Sequence, residues 1–198
     1  MGDTEVGLRE LKKERTRRAL LRAAYRLFEE KGYDKTTTVE IARAAEVSPG
    51  TFFNYFATKE ELVFGDRTGI IESGLRVLSA PKRGEVPADL VLRSFGTMLA
   101  TEQRDDPIEE HGSSRARLLF TVPSLYGAML QRTFATQERM AAALRRSYPE
   151  DLDDVRAATV VGAFVGAAMA AIRAAAERDE PLKPALMDAI HLVADNFR

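Results

Sequence analysis

With 198 residues, a formal net charge of −1, 45% hydrophobic and 30% charged residues, the chain has the composition of an ordinary globular protein and not of a disordered or fibrous one. It has no cysteine, which excludes disulfides, thiolate-bound zinc, iron–sulfur clusters and thiol redox sensing, and fits a cytoplasmic setting. Two histidines, His111 and His191, are poor supply for a metal site or catalytic relay, so no catalytic residue, metal or cofactor is expected.

The N-terminus lacks the apolar core of a signal peptide, and no stretch reaches the roughly 18 uninterrupted apolar residues of a membrane span. Residues 1–8 show no periodicity and are expected to form a mobile arm. From Arg9 the pattern turns helical: Leu20, Ala24, Leu27 and Phe28 share a stripe with Leu21 beside it, while Arg18, Arg22 and Arg26 point elsewhere. Between Arg9 and Lys31, nine Lys/Arg stand against four Glu. Alone, such a run reads as a solvated helix face, but it is also the local basic patch that phosphate neutralisation requires. Gly32 is placed to end this helix in the left-handed conformation, with Tyr33 folding back on it.

Residues 37–61, TTVEIARAAEVSPGTFFNYFATKEE, carry two helix starts in quick succession. Thr37 and Glu40 have the spacing of a capping box, and Val39, Ile41, Ala42 and Ala45 give the helix an apolar side. Val47 plugs the turn. Ser48 caps a second helix in which Pro49 takes the first position, where its missing N–H costs nothing. That helix runs through Phe56 and is unusually aromatic. Two short helices joined this tightly make a helix-turn-helix, whose second helix enters the DNA major groove.

Thr58 caps a further helix, expected from Lys59 to about Leu78 on the stripe Leu62, Val63, Ile70, Ile71, Leu75 and Leu78, though Gly65, Gly69 and Gly74 weaken it. Pro81–Pro87 is a break. Ala88–Gln103 is amphipathic, Arg104–Ser114 reads as a loop, and Arg115–Thr121 as a short helix stopped by Pro123. Long helices follow over Ser124–Tyr148 and Asp153–Arg178, and Pro181 and Pro184 precede a last one ending at Phe197. With no strand pattern and no repeat, the chain is all-α. Residues 9–58 form a three-helix helix-turn-helix domain and 59–198 a helical bundle.

The segment Arg17–Val63 resembles the N-terminal domain of the tetracycline-repressor (TetR) family of transcriptional regulators. The resemblance rests on Ala23-Ala24, Leu27-Phe28, Gly32-Tyr33, Thr37, Ile41-Ala42, Val47-Ser48, Gly50-Thr51, Tyr55-Phe56 and Lys59-Glu60 with Leu62, all in order. It implies a dimeric regulator, most often a repressor, that binds a palindromic DNA operator and is released by a small effector in its C-terminal bundle. The alternatives are such a regulator without an inducer, an activator, or a helical binding protein or enzyme whose helix-turn-helix is incidental.

Side-chain chemistry assigns the reading. Asn54 is suited to bidentate pairing with adenine, and Thr51 offers a hydroxyl for phosphate and a methyl for thymine. Pro49 and Gly50 let the backbone come close. Tyr55, Ser48, Thr38 and the capping Thr37 are candidates for phosphate, and Lys59 resembles the family's phosphate-binding lysine. The family usually has Tyr where Phe53 stands, which leaves Phe53 apolar contact only. It prefers Gly where Glu46 stands, so a positive φ there would strain Glu46. Phe52 and Phe56 are expected in the core.

Within the bundle, the resemblance implies a pocket among Phe95, Met98, Phe120, Leu125, Tyr126, Met129, Phe134, Phe164 and Met169, with Arg117, His111 and Gln131 as polar candidates. The stretch Arg115–Leu130 resembles members with a long apolar pocket of the acyl-CoA-binding kind. The last two helices are implied to pair with their symmetry mates through Val160, Phe164, Ala168, Ile172, Leu186, Ile190, Val193 and Phe197; the other reading of those residues is a core within one chain.

Overall fold

Side chains of Thr37, Ser48, Thr58 and Asp153 cap helix starts, and helices end at Gly32 and Gly65. The computed structural model describes residues 2–105 and 111–197, with side chains described at 11–101 and 111–197; among these it has ten helices and no strand. The chain divides between Asp66 and Arg67 into two compact units.

The first unit holds α1 (Gly2–Lys31), α2 (Thr38–Ala44), α3 (Pro49–Phe53) and α4 (Lys59–Phe64). Backbone 2–8 is helical and not an arm, and no proline interrupts it. The stripe on α1 is buried as its spacing requires, with Leu20 and Ala24 at 0% exposure and Leu27 only half-buried. Gly32 ends the helix at φ 88°, and its N–H donates to the Phe28 carbonyl at 3.0 Å. Ile41, Ala42, Phe52, Phe56, Leu62 and Val63 are likewise buried.

Helix α4 belongs to this unit, so the boundary falls at 66/67 instead of 58/59. Its Leu62, Val63 and Phe64 are buried, and the buried Tyr25 hydroxyl donates to the Leu62 carbonyl at 3.3 Å. The single helix expected over Lys59–Leu78 is two helices. Gly65 breaks it at φ 63°, a left-handed value that glycine adopts without strain.

The second unit contains α5 (Thr68–Leu78), α6 (Pro87–Asp105), α7 (Gly112–Thr121), α8 (Pro123–Ser147), α9 (Asp154–Glu177) and α10 (Leu182–Asn196). Helices α6 and α7 both intrude on the loop expected at 104–114, of which 106–110 lie outside the described residues. Leu78, Leu90, Val91, Leu144, Val161, Phe164 and Ile190 form the centre of its core, all at 0% exposure. At the α5–α6 crossing Gly74 is required by proximity: a Cβ there would stand 2.6 Å from Met98 Sδ, and Ser94 Oγ donates to the Gly74 carbonyl at 2.9 Å. The link 81–86 is held by Glu85, which accepts from Arg93 at 2.8 and 2.7 Å and from the Lys82 N–H at 2.8 Å. The Arg93 guanidinium, as the leading cause, holds the Glu85 carboxyl below its usual range.

Candidate nucleic-acid interface and bundle cavity

The two helix starts form as their residues dictate. Thr37 Oγ1 accepts from the Glu40 N–H at 3.2 Å while Glu40 Oε2 accepts from the Thr37 N–H at 2.9 Å, closing the capping box. Ser48 Oγ accepts from the Thr51 N–H at 3.0 Å and lies 2.8 Å from Thr51 Oγ1. Between them Glu46 adopts φ 57°, the positive value that makes this a position for glycine. Helix α3 ends at Phe53, short of the expected Phe56. Asn54 is its C-cap, and the Tyr55 and Phe56 N–H groups both return to the Phe52 carbonyl at 3.0 Å.

This turn sorts α3 into two faces. Phe52 (0%) and Phe56 (4%) are buried, whereas Phe53 is 53% exposed and Ser48, Pro49, Gly50 and Asn54 are exposed beside it. Thr38, Thr51 and Tyr55 are half-buried. A Cβ at Gly50 would meet nothing nearer than Ser48 Oγ at 3.8 Å, so the fold itself does not demand glycine there. What remains outward is a small, uncharged surface with an amide, hydroxyls and an aromatic ring, chemistry suited to base edges and not to bulk solvation.

Two expected phosphate ligands are largely committed to structure. The Thr37 hydroxyl spends its proton on Glu40 Oε2 at 2.7 Å. Lys59 Nζ donates to the Tyr33 carbonyl at 2.7 Å and the Thr36 carbonyl at 3.0 Å, and sits 4.0 Å from the Tyr33 ring centre. One ammonium proton is left for a phosphate. Burial, the leading cause, lowers the Lys59 pKa and pushes the Tyr33 phenol up to about 12, the latter aided by Glu60 and Asp34. Lys31 pairs with Glu40 at 2.5 Å and, with Thr37, holds that carboxyl at about 2. The start of α2 is thereby tied to the end of α1, an anchor that spacing alone could not reveal.

The second unit holds a cavity of about 670 Å³, open on one side, between α6, α7, α9 and α10. Of the expected pocket residues, Phe95 and Met98 line it. Phe164 is fully buried and stacks on Phe95 with ring centres 6.0 Å apart, and Leu125 is fully buried in packing. Phe120, Met129 and Met169 are half-buried away from the lining, while Tyr126 (37%) and Phe134 (59%) face solvent. Arg117 is exposed and paired with Asp179 at 3.2 Å; Gln131 is exposed, and His111 precedes α7 without joining the lining. On α7 the arginine that lines the cavity is Arg115. Two residues on a helix stand about 200° apart, so Arg117 is turned away. Sequence reading missed Arg67, Arg115 and Lys183; the pairing of Arg115 with Ala116 and Leu119 at helical spacing was the available signal.

The residues expected at a dimer seam behave differently. Val160, Phe164, Ala168, Leu186 and Ile190 are buried in the chain's own core and leave little surface for a second chain. Ile172 and Val193 are partly buried, and Phe197 is 44% exposed. Outside that core, α9 presents Val155 at 73% exposure together with exposed Thr159, Gly166 and Ala170. This helix is long and apolar enough to cross a membrane by length and composition, yet only 22% of its apolar stretch is buried.

Comparison with known proteins agrees with this two-part organisation. Residues 20–65 match the family model for bacterial regulatory proteins of the tetR family, and residues 85–198 match that of the MftR C-terminal domain. The HTH-type transcriptional regulator TcmR of Streptomyces glaucescens is 36% identical over 152 residues, 75% of this chain and 67% of the relative. The HTH-type transcriptional repressor Rv3405c of Mycobacterium tuberculosis is 28% identical over 134 residues, 68% of this chain and 61% of its own length. Among solved structures, a tetR-family transcription regulator from Shewanella sp. PV-4 aligns with a TM-score of 0.53 at 20% identity, over 91% of this chain and 97% of that one. A regulator from Aquifex aeolicus VF5 gives 0.52 at 19% identity, over 92% and 99%.

Proposed function

The chain belongs to the tetR family of bacterial regulatory proteins and is a DNA-binding transcriptional regulator; on that premise we propose that it is a ligand-responsive repressor. It acts in the cytoplasm, without catalysis, as a homodimer on a palindromic operator. The observation that carries this reading is the division of α3: Phe52 and Phe56 fix it from within, and Gly50, Thr51, Phe53 and Asn54 are left on the outside beside a capped, rigid turn. Asn54 reads a base, Tyr55 and the remaining proton of Lys59 take phosphates, and Thr37 acts through the cap. Two such helices, one per subunit, fit major grooves about 34–36 Å apart.

The cavity in the second unit supports a small, largely apolar effector, and its size fits one. Effector binding favours a conformation in which the two copies of α3 no longer match the operator, and the covalent link Gly65–Arg67 carries the change. The small-residue face of α9 supports a seam with a second copy, since an apolar helix left open in one chain is covered by its symmetry mate.

The test is selection of duplex sites from a random library by the full chain, followed by fluorescence anisotropy on the enriched site. The Asn54→Ala, Tyr55→Ala double variant, which touches no core residue, should keep its helical signal and lose about tenfold or more in affinity. Unchanged affinity would place the reading surface elsewhere. An enriched site overlapping a promoter fits a repressor; one lying only upstream of promoters fits an activator.

A further inference from the structure

We propose that each half-site consists of A·T pairs where α3 meets it, read through one adenine and the 5-methyl groups of neighbouring thymines, and that Val39 of α2 is a further reader. This rests on α3 as the reading helix and names the bases it selects.

Between Glu46 and Lys59 the chain carries no Asp, Glu, Lys, Arg, His or Gln. In the major groove guanine is read chiefly by the paired donors of Arg or by Lys, and the cytosine amino group by Asp or Glu. Neither kind of reader stands on α3. Cations of this unit sit on other elements: Arg17 of α1 stands over the Phe56 ring at 5.7 Å, Lys59 of α4 is held by two carbonyls, and Arg43 lies on the exposed side of α2. Elements that flank a reading helix meet the phosphate backbone, which such groups suit.

What α3 presents is sorted by chemistry. Pro49 and Phe53, one turn apart, form an apolar row, and Gly50 and Asn54 form a second row that ends in the amide. The Phe53 ring is held in place. It packs edge-on against the buried Phe52, with ring centres 5.3 Å apart and planes at 82°, and stays 53% exposed. An aromatic surface fixed in this way needs little further ordering when a thymine methyl covers it. Gly50 keeps the space beside Asn54 clear for an adenine edge, whose N6–H donates to the amide oxygen and whose N7 accepts from the amide N–H.

Val39, expected on the apolar side of α2, is 48% exposed. Ile41 and Ala42 take the core and Glu40 turns to Lys31, so Val39 shares the remaining face with Arg43. Lys59 Nζ donates to the Thr36 carbonyl at 3.0 Å, which ties the start of α2 to the segment following Asn54–Phe56. Val39 thus stands one turn from the end of α3 that carries the amide, where its methyl groups suit a thymine methyl and not a phosphate.

Base analogues test this on the unaltered protein. In the duplex selected by the full chain, deoxyuridine in place of thymine removes only the 5-methyl group, and 7-deazaadenine removes N7 while keeping Watson–Crick pairing. Scanned singly by fluorescence anisotropy, deoxyuridine should weaken binding about threefold at each of two thymines per half-site. The adenine analogue should cost about fivefold at one position. Each penalty should vanish with its partner: one thymine in Phe53→Ala, the other in Val39→Ala, and the adenine in Asn54→Ala. None of these side chains is buried, so circular dichroism should be unchanged. No deoxyuridine penalty anywhere, or selected G·C pairs that Asn54→Ala or Phe53→Ala relaxes, would overturn the A·T assignment while leaving α3 as the reader. If Val39→Ala removes no thymine penalty, Val39 is not a reader. Selection of the wild-type site at wild-type affinity by both Asn54→Ala and Phe53→Ala would overturn the reading of α3 itself.

Discussion

Glu46 carries a cost that its neighbours absorb. Its φ of 57° costs a residue with a Cβ about 1 kcal/mol relative to glycine, and Glu46 is exposed without a packing role to offset this. Glu46→Gly should therefore raise stability by up to about 1 kcal/mol in urea unfolding, with DNA affinity unchanged. Glu40 is the opposite case, a residue whose charge the fold uses. Its carboxyl is held at about 2 against an ordinary 4.5, first by Lys31 and then by Thr37. A depressed acid stabilises above its unfolded pKa and loses that contribution as pH falls, here between about 4.5 and 2. Thermal melts of wild type and Glu40→Gln should differ at pH 6 and converge by pH 2. A constant gap would mean that the Lys31 pair adds nothing. The capping box was legible from T-x-x-E spacing, and the strain at Glu46 from the glycine that the family resemblance implies there. The Lys31–Glu40 pair and the carbonyls that hold Lys59 were not, because both join residues brought together only by the fold.

Helices were read from apolar stripes, and their ends from caps. Errors arose where glycine or a helix face decided the outcome. Gly65 was visible as a weak point, but whether it breaks the helix depends on the burial of Leu62–Phe64 within the first unit. Arg115 and Arg117 stand two residues apart on α7, about 200° around the helix, so the expected Arg117 faces solvent while Arg115 lines the cavity. The α5–α6 crossing shows what an element contact demands. Gly74 faces Met98 Sδ, Met98 Cγ and Ser94 Oγ, all of which a Cβ would approach within 2.9 Å or less. Gly74→Ala should gain helix propensity yet lose about 1–3 kcal/mol net through overpacking. Because Met98 also lines the cavity, the same substitution should alter affinity for the apolar dye N-phenyl-1-naphthylamine there. Unchanged stability and unchanged affinity together would show that α5 can move off α6 freely.

For the whole molecule, the strongest apolar residues of α9 and α10 misled the expectation of a seam. Phe164, Ile190 and Leu186 are the residues that a single chain most needs for its own core, so they are consumed there. The face left open is built from residues too small to stand out in a sequence: Thr159, Gly166 and Ala170, with Val155 at its end. Gly166 is exposed and a Cβ there meets nothing within 4 Å. Gly166→Arg should thus stabilise the isolated helix by several tenths of a kcal/mol to about 1 kcal/mol, while blocking a second copy. Light scattering after size exclusion should read a dimer for wild type and a monomer for this variant; a dimer in both would move the seam to another face. The most direct test of the account is a footprint of the full chain on its selected DNA site. The account predicts two protected major-groove segments one helical turn apart, both lost in Asn54→Ala, Tyr55→Ala and in Gly166→Arg at concentrations that saturate wild type. A single protected segment, or two that survive the Asn54 and Tyr55 substitutions, would contradict it.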